Sequence, residues 1–326
     1  MNKSRYTWGV IGCGTIANEF AVAMQKCGNN IYGVYNRTSE SAKKFAEKYN
    51  IDRVYNNEIE LLNDEKIEVV YISTPHNKHI EYIRNALKNG KHVLCEKAIT
   101  LNSNELSEAI EIAKSKNLIL AEAMTIYHMP LYQKLEELIN TGNLGKLSLI
   151  QANFGSFKEY DMKNRFFSMD TAGGALLDIG VYALSLTRNF MDFSNIEMKS
   201  FVKKAESGVD ENASIILKND KDELANITIS LHSKQPKRVV IVFEKGYIEI
   251  YDYPRSDKAT ITYTEDSSIE KIELGNSEYA LKYEIENMEM SIKNSKNMMK
   301  LDHTFDVMKI MTDLRKEWGL YYPEEQ

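Results

Sequence analysis

From Thr7 to about Glu122 the chain alternates short apolar runs with helical stretches, and this rhythm constrains its fold more than any other feature. Trp8–Ile11, Ile31–Tyr35, Val69–Ser73, His92–Cys95 and Leu118–Ala121 read as strands, and Ile16–Cys27, Ser39–Tyr49, Lys78–Lys88 and Ser103–Lys116 read as the helices between them. Strands that alternate with helices in this way are the sequence form of successive βαβ units and a parallel sheet. The third helix carries both end signals, with Asn77 placed as its N-cap and Gly90 just past its last turn.

After Pro130 the rhythm changes, and from Gly145 onward most segments alternate with a period of two. In Leu224–His232, residues Ala225, Ile227, Ile229 and Leu231 line one face and Asn226, Thr228 and Ser230 the other, the pattern of a half-buried strand. Further strands are expected at Lys146–Phe154, Glu197–Lys204, Ala213–Lys218, Val239–Glu244, Tyr247–Tyr251 and Ala259–Tyr263, with Lys245-Gly246 as a turn. These predict a mostly antiparallel sheet of about six strands. A helical insert is expected at Ala172–Asn189, and two helical stretches near Glu278–Lys293 and His303–Trp318 close the chain. A length of 326 residues suits two domains. The expected fold class is α/β: a doubly wound parallel domain over residues 1–122, then an α+β domain over 123–326 whose last helix is free to pack back on the first.

Composition narrows the partners. The formal charge of -6 opposes non-specific attraction to nucleic acid or to an anionic membrane. No apolar run approaches a membrane span, and the start, Met1-Asn2-Lys3-Ser4-Arg5-Tyr6, leads into a strand rather than a signal sequence. Cys13, Cys27 and Cys95 lack CxxC spacing, which fits a reduced, cytoplasmic setting.

Gly12-Cys13-Gly14-Thr15-Ile16-Ala17 follows the first strand and opens the first helix, matching GxGxxG/A in the context it needs. Gly12 permits the tight turn, Gly14 lets backbone approach a pyrophosphate, and Ala17 lets helix and strand pack closely, so the turn predicts a dinucleotide site that includes Thr15 and Ile16. About 20 residues further on, where NAD enzymes carry an acid for the ribose 2′-hydroxyl, the chain has Asn36-Arg37-Thr38. Arg37 suits a 2′-phosphate, so NADP(H) is the preferred cofactor and NAD(H) the second choice; the alternative is a solvated loop arginine.

Cys95-Glu96-Lys97 ends the fourth strand at the carboxyl edge of the sheet, where ligands bind in open α/β folds. There Glu96 and Lys97 would lie near the nicotinamide, although a single lysine after a strand is more often simply at the surface. Ser73-Thr74-Pro75-His76-Asn77-Lys78-His79 leaves the third strand, and Ser73, Thr74, His76 and His79 are candidates for cofactor contact, against satisfied loop histidines. No metal site is expected, since two histidines at this spacing lack a third ligand nearby. In Thr171-Ala172-Gly173-Gly174-Ala175-Leu176-Leu177-Asp178-Ile179-Gly180-Val181-Tyr182, Asp178 and Tyr182 are four apart and would share a helix face. Gly180 inside a helix signals close packing. The pair suits a cleft; the plainer alternative is a tyrosine bonded to an aspartate in the core.

On these residues the chain resembles the Gfo/Idh/MocA oxidoreductases, and within them the dimeric dihydrodiol dehydrogenase and xylose dehydrogenase branch. The likeness runs through the glycine turn, Thr74-Pro75 with His79, Glu96-Lys97, the AGGALLDIGVY run and Glu206-Ser207-Gly208-Val209-Asp210. It implies a Rossmann domain followed by an open-faced sheet through which homodimers form. It also implies Lys97, Asp178 and Tyr182 as catalytic residues and a sugar, polyol or trans-diol as substrate. Tyr182 would exchange the substrate proton with help from Lys97. Two departures stand out: Ala98 replaces the usual Pro of EKP, and Thr125 and Tyr127 stand where the branch has Trp and Arg near the substrate. Arg165 is a further candidate for substrate contact. Alternatives are a non-catalytic NADP-binding regulator and a reductase of small dicarbonyls.

Overall fold

The computed structural model describes residues 6–326. It divides the chain into two compact units, one running to Met124 with Leu281–Leu301 added, the other formed by Thr125–Ala280 and Asp302–Gln326.

The first unit is a six-stranded sheet. In chain order it holds β1 (Trp8–Ile11), α1 (Thr15–Lys26), β2 (Ile31–Tyr35), α2 (Ser39–Tyr49), β3 (Arg53–Val54), α3 (Glu58–Asn63), β4 (Val69–Ile72), α4 (His79–Lys88), β5 (His92–Glu96), α5 (Ser103–Ser115) and β6 (Leu120–Ala123). The strands lie in the order β3-β2-β1-β4-β5-β6 and all pair in parallel. β1 and β4 are buried throughout, as the central strands of a sheet covered on both faces must be. Strand order reverses between them, which opens a crevice at their carboxyl ends.

Differences from the expected elements have local causes. Asn77 is not the N-cap of α4: it lies in a 3-10 turn, His76–Lys78, and Lys78 precedes the helix with no side-chain cap. Gly90 does close that helix, at φ +74°, with Gly90 N–H on Leu87 O and Lys91 N–H on Ala86 O, both at 3.0 Å. β6 starts two residues later than expected because Asn117, at φ +53°, and the Leu118 N–H, 2.9 Å from Ala113 O, are still closing α5. β3, of two residues, and the six-residue α3 were too short to show a period.

The second unit begins with α6 (Pro130–Asn140), which sequence periodicity had not marked, and continues with β7 (Leu147–Gly155), α7 (Val181–Phe190), β8 (Glu197–Lys204), β9 (Asp210–Lys218), β10 (Leu224–Ser230), β11 (Gln235–Phe243), β12 (Gly246–Tyr251), β13 (Lys258–Tyr263) and β14 (Ile269–Glu273). The sheet has eight strands, in the order β14-β13-β12-β11-β7-β10-β9-β8. Every neighbouring pair is antiparallel except β7 with β10. Its inner face packs under α7 and carries Ile150, Ala152, Ile215, Ile227, Ile229 and Ile241. The outer face is open and leaves Phe201 85% exposed, with Ile216, Tyr247, Tyr251 and Ile269 also exposed.

The chain ends in α8 (Ala280–Lys293) and α9 (Leu301–Glu317). It is the penultimate helix, not the last, that belongs with the parallel sheet. Trp8 Nε1 and Asn29 Nδ2 donate to Glu289 at 2.9 and 3.1 Å, and Asn297 Nδ2 donates to Leu120 O at 2.8 Å. α9 is tied to the second unit by Arg188 on Asp306 at 2.7 Å and, just past its end, by Trp318 Nε1 on Ser200 Oγ at 2.8 Å.

Candidate active site

The glycine turn sits at the crevice between β1 and β4. Gly12 has φ +102°, its N–H donates to Tyr35 O at 2.9 Å, and a Cβ there would lie 2.7 Å from Ser73 O. No side chain fits either the backbone or the space. At Gly14 a Cβ would meet nothing within 4 Å, so the surface above the turn is open. Thr15, Ile16 and Ala17 begin α1, whose first turn has no acidic residue and no side-chain cap. Their N–H groups and the positive end of the helix dipole are left for an anion. Ala17 is buried against the sheet.

The neighbouring strand ends complete this rim. Ser73 N–H donates to Ile11 O at 2.9 Å, and its hydroxyl is 3.3 Å from both Ile11 O and Gly12 O. The buried Thr74 hydroxyl has no hydrogen-bond partner among the described residues, a vacancy that a ligand oxygen would fill. Asn36 Nδ2 donates to Thr38 O at 3.1 Å, and Arg37 is exposed with no ion pair among the described residues. An open glycine turn, an uncapped helix start and an orphaned hydroxyl together fit a dinucleotide.

Lys97 follows β5 and is half-buried. Its backbone is held from several sides. His76 Nε2 is 3.1 Å from Lys97 O, and His79 places Nδ1 2.9 Å from Ala98 O and Nε2 2.8 Å from Thr74 O. The Lys97–Ala98 peptide is cis. Glu96 accepts the Tyr71 hydroxyl at 2.5 Å and the Lys97 N–H at 3.4 Å, and Glu122 accepts the Ile99 N–H at 3.0 Å. Burial pushes the His79 imidazole down to about 4, and in that neutral form only one ring nitrogen carries a proton and donates to its carbonyl. Burial, reinforced by the Glu96 carboxylate, holds the Tyr71 phenol well above its ordinary range. Two histidines expected at the cofactor thus also clamp the segment that presents Lys97.

In the second unit the helix expected over Ala172–Asn189 starts later and opens on a π turn. Ala172 and Gly174 have φ +52° and +118°, the helix is entered at Ala175, Leu176–Gly180 forms a π turn, and Val181–Phe190 is α-helical. Asp178 therefore lies in the π turn and Tyr182 at the start of α7, which continues from that turn without a break. Single π turns are frequent at functional sites. Gly180 does mark a close approach, since a Cβ there would be 3.1 Å from Ile229 Cδ1. Asp178 is 8% exposed. Tyr182 is half-buried, with its ring centroid 5.9 Å from that of Phe154, and Phe154 meets the Tyr253 ring edge-on at 6.0 Å. Thr125 is buried, and its hydroxyl donates to Pro254 O at 2.6 Å. Tyr127 is buried against the His303 ring at 5.6 Å. Arg165 is exposed, with its guanidinium 4.0 Å above the Phe166 ring.

Residues 6–124 match the description of an oxidoreductase family with an NAD-binding Rossmann fold, and residues 132–249 match a Gfo/Idh/MocA C-terminal domain. The trans-1,2-dihydrobenzene-1,2-diol dehydrogenase of Xenopus laevis is 30% identical over 97% of this chain and 99% of its own. The chain belongs to the Gfo/Idh/MocA oxidoreductase family. It is an NAD(P)-dependent dehydrogenase acting on CH–OH groups. The human dehydrogenase of the same name is 31% identical over 74% of this chain and 73% of its own, which fits the dihydrodiol dehydrogenase branch. Among solved structures, a 3-ketoreductase from Actinomadura kijaniata in complex with NADP and TDP-benzene superposes with a TM-score of 0.86 at 20% identity, covering 96% of this chain and 98% of that one. A levoglucosan dehydrogenase in complex with NADH and levoglucosan superposes with a TM-score of 0.86 at 16% identity, covering 98% and 99%.

For this family member, sequence reasoning passed over Tyr71, which underpins Glu96, and assigned no task to Asp210. Tyr71 carried no signal beyond its place in an apolar strand. Asp210 ends the Glu206-Ser207-Gly208-Val209-Asp210 run, and the Gly173-Gly174 pair was the sign that something must approach closely.

Proposed function

We propose that the enzyme prefers NADP(H) and moves a hydride between nicotinamide and a hydroxyl-bearing carbon of a sugar, polyol or trans-diol, with Tyr182 as acid and base. Similarity to a trans-diol dehydrogenase over nearly the whole length of both chains is the observation that carries this reading. Bound along the glycine turn, the dinucleotide supplies the hydride acceptor. Gly12, Gly14, Thr15, Ile16 and Ala17 would hold its pyrophosphate, and Ser73, Thr74, His76, His79 and Glu96 would form the rim beside it. Arg37, exposed where an acid would select NAD, would pair with a 2′-phosphate.

Tyr182 takes the proton of the substrate hydroxyl during oxidation and returns it during reduction. A free tyrosine titrates near 10, so poising it for neutral pH requires roughly 3 pH units, or about 4 kcal/mol. The Lys97 ammonium supplies stabilisation of the phenolate, and Asp178 orients the substrate or the lysine. Phe154 packs against Tyr182 and in turn meets Tyr253 edge-on. Arg165, Thr125 and Tyr127 are proposed substrate-side residues. A second copy of the chain is proposed to cover the open face of the eight-stranded sheet, which light scattering on the eluting protein would test. No helix among the described residues is long and apolar enough to cross a membrane. The reading is tested by adding NADP with a panel of sugars, polyols and trans-diols and following the reduced-nicotinamide absorbance. Reduction of NADP by at least one cyclic hydroxyl compound is expected, and none by any member of the panel would overturn it.

A further inference from the structure

Gly173-Gly174 and Asp210 are distant in sequence and meet where the π turn begins. Asp210 starts β9 and is 0% exposed. Its Oδ2 accepts the Leu176 N–H at 2.6 Å. A Cβ on Gly174 would lie 2.1 Å from Asp210 Oδ1, and Gly174 has φ +118°, so only glycine admits the carboxylate at this distance. Gly174 O in turn accepts the Asp178 N–H at 3.2 Å. The other side of the glycine pair is fixed by Tyr322, whose hydroxyl donates to Gly173 O at 2.5 Å. The Arg315 guanidinium lies 4.8 Å above the Tyr322 ring and binds Glu325 through both of its ends, at 2.6 and 2.8 Å.

A buried carboxylate is a costly way to cap a turn, since a serine or asparagine would accept the same N–H with little charge to desolvate. Burial pushes the Asp210 carboxyl up to about 7, while the Leu176 N–H and the Arg315 charge act in the opposite direction. Those contacts are made at one place, the start of the turn that bears Asp178 and leads to Tyr182.

We propose that Asp210 is a positioning residue, which through Leu176 and Gly174 fixes the placement of the π turn and hence of Asp178 and Tyr182. The proposal rests on Tyr182 being the acid and base.

The test uses the full chain with NADP and trans-1,2-dihydrobenzene-1,2-diol, together with hydrogen exchange of residues 174–184. In Asp210→Ala, displacement of the turn is expected to lower kcat by about a hundredfold, with NADPH affinity within about twofold of the parent and faster exchange over 174–184. Asp210→Asn, whose amide oxygen still accepts the Leu176 N–H, is expected to return kcat to within about tenfold of the parent and to restore slow exchange. Gly174→Ala, which pushes on the carboxylate without removing it, is expected to behave as Asp210→Ala and decides the matter should the latter not fold. Unchanged exchange over 174–184, or kcat within about threefold of the parent in the folded Ala variants, overturns the proposal. Tyr182→Phe is measured in parallel: full activity there removes the acid and base reading, whereas the exchange result still reports on the turn.

Discussion

His79 Nδ1 lies 2.9 Å from the carbonyl oxygen of Ala98, directly behind Lys97 in the chain, while Nε2 of the same ring lies 2.8 Å from the carbonyl oxygen of Thr74. One buried imidazole lies between the loop after β4 and the segment that presents the lysine, donating to one of the two carbonyls while neutral. Burial lowers its pKa from 6.5 to about 4, so between these values the unfolded chain binds a proton that the folded chain refuses. The sign is that of a depressed histidine: its full contribution is present above pH 6.5 and is lost as pH falls toward 4, by about 3 kcal/mol in all. The urea midpoint of the parent should therefore fall more steeply over this window than that of His79→Gln. Equal slopes would show that the ring is not held neutral.

Removing the groups proposed for proton exchange should affect chemistry and spare cofactor binding. Lys97→Met and Tyr182→Phe are each expected to lower turnover at least about a hundredfold, with NADPH affinity by fluorescence titration largely intact. Full activity in both variants would remove the assignment.

Arg37 is exposed and has no ion pair among the described residues, so its substitution reports on the cofactor rather than on stability. Arg37→Ala is expected to weaken NADP(H) about tenfold or more and to leave NAD(H) within about twofold, because a charge-assisted contact to the 2′-phosphate is the one removed. Dissociation constants for both dinucleotides at one fixed salt concentration check this, and an equal effect on the two would place the arginine elsewhere.

Gly12 combines φ +102° with a Cβ position 2.7 Å from Ser73 O. Gly12→Ala should therefore part β1 from β4 at the crevice, cost about 1–3 kcal/mol of stability and weaken dinucleotide binding at least about tenfold. Thermal melts with and without NADPH measure both effects, and a variant as stable and as tightly binding as the parent would contradict the geometry.

The parallel sheet was readable from sequence because its central strands are continuous apolar runs and its helices carry ordinary end signals, as at Gly90. What escaped was set by length or by contact. β3 is two residues long, and β14, Ile269–Glu273, is mostly exposed and so has little apolar pattern to show. The π turn could not be seen, since Leu176–Gly180 has the composition of an ordinary helix. At the site, Gly12 was legible because backbone geometry restricts its identity, and Gly14 through its fixed place in the same turn. The clamp of His76 and His79 on Lys97 was not, because hydrogen bonds to a backbone carbonyl leave no spacing rule in the sequence.

Leu281–Leu301 completes the unit that begins the chain, with Glu289 receiving the indole of Trp8 and Asn297 reaching the carbonyl of Leu120. A ribosome making this protein has therefore released every strand of the first sheet long before the piece that seals it emerges. Until it does, the Trp8 indole, the Asn29 amide and the Leu120 carbonyl lack the partners that hold them in the finished unit.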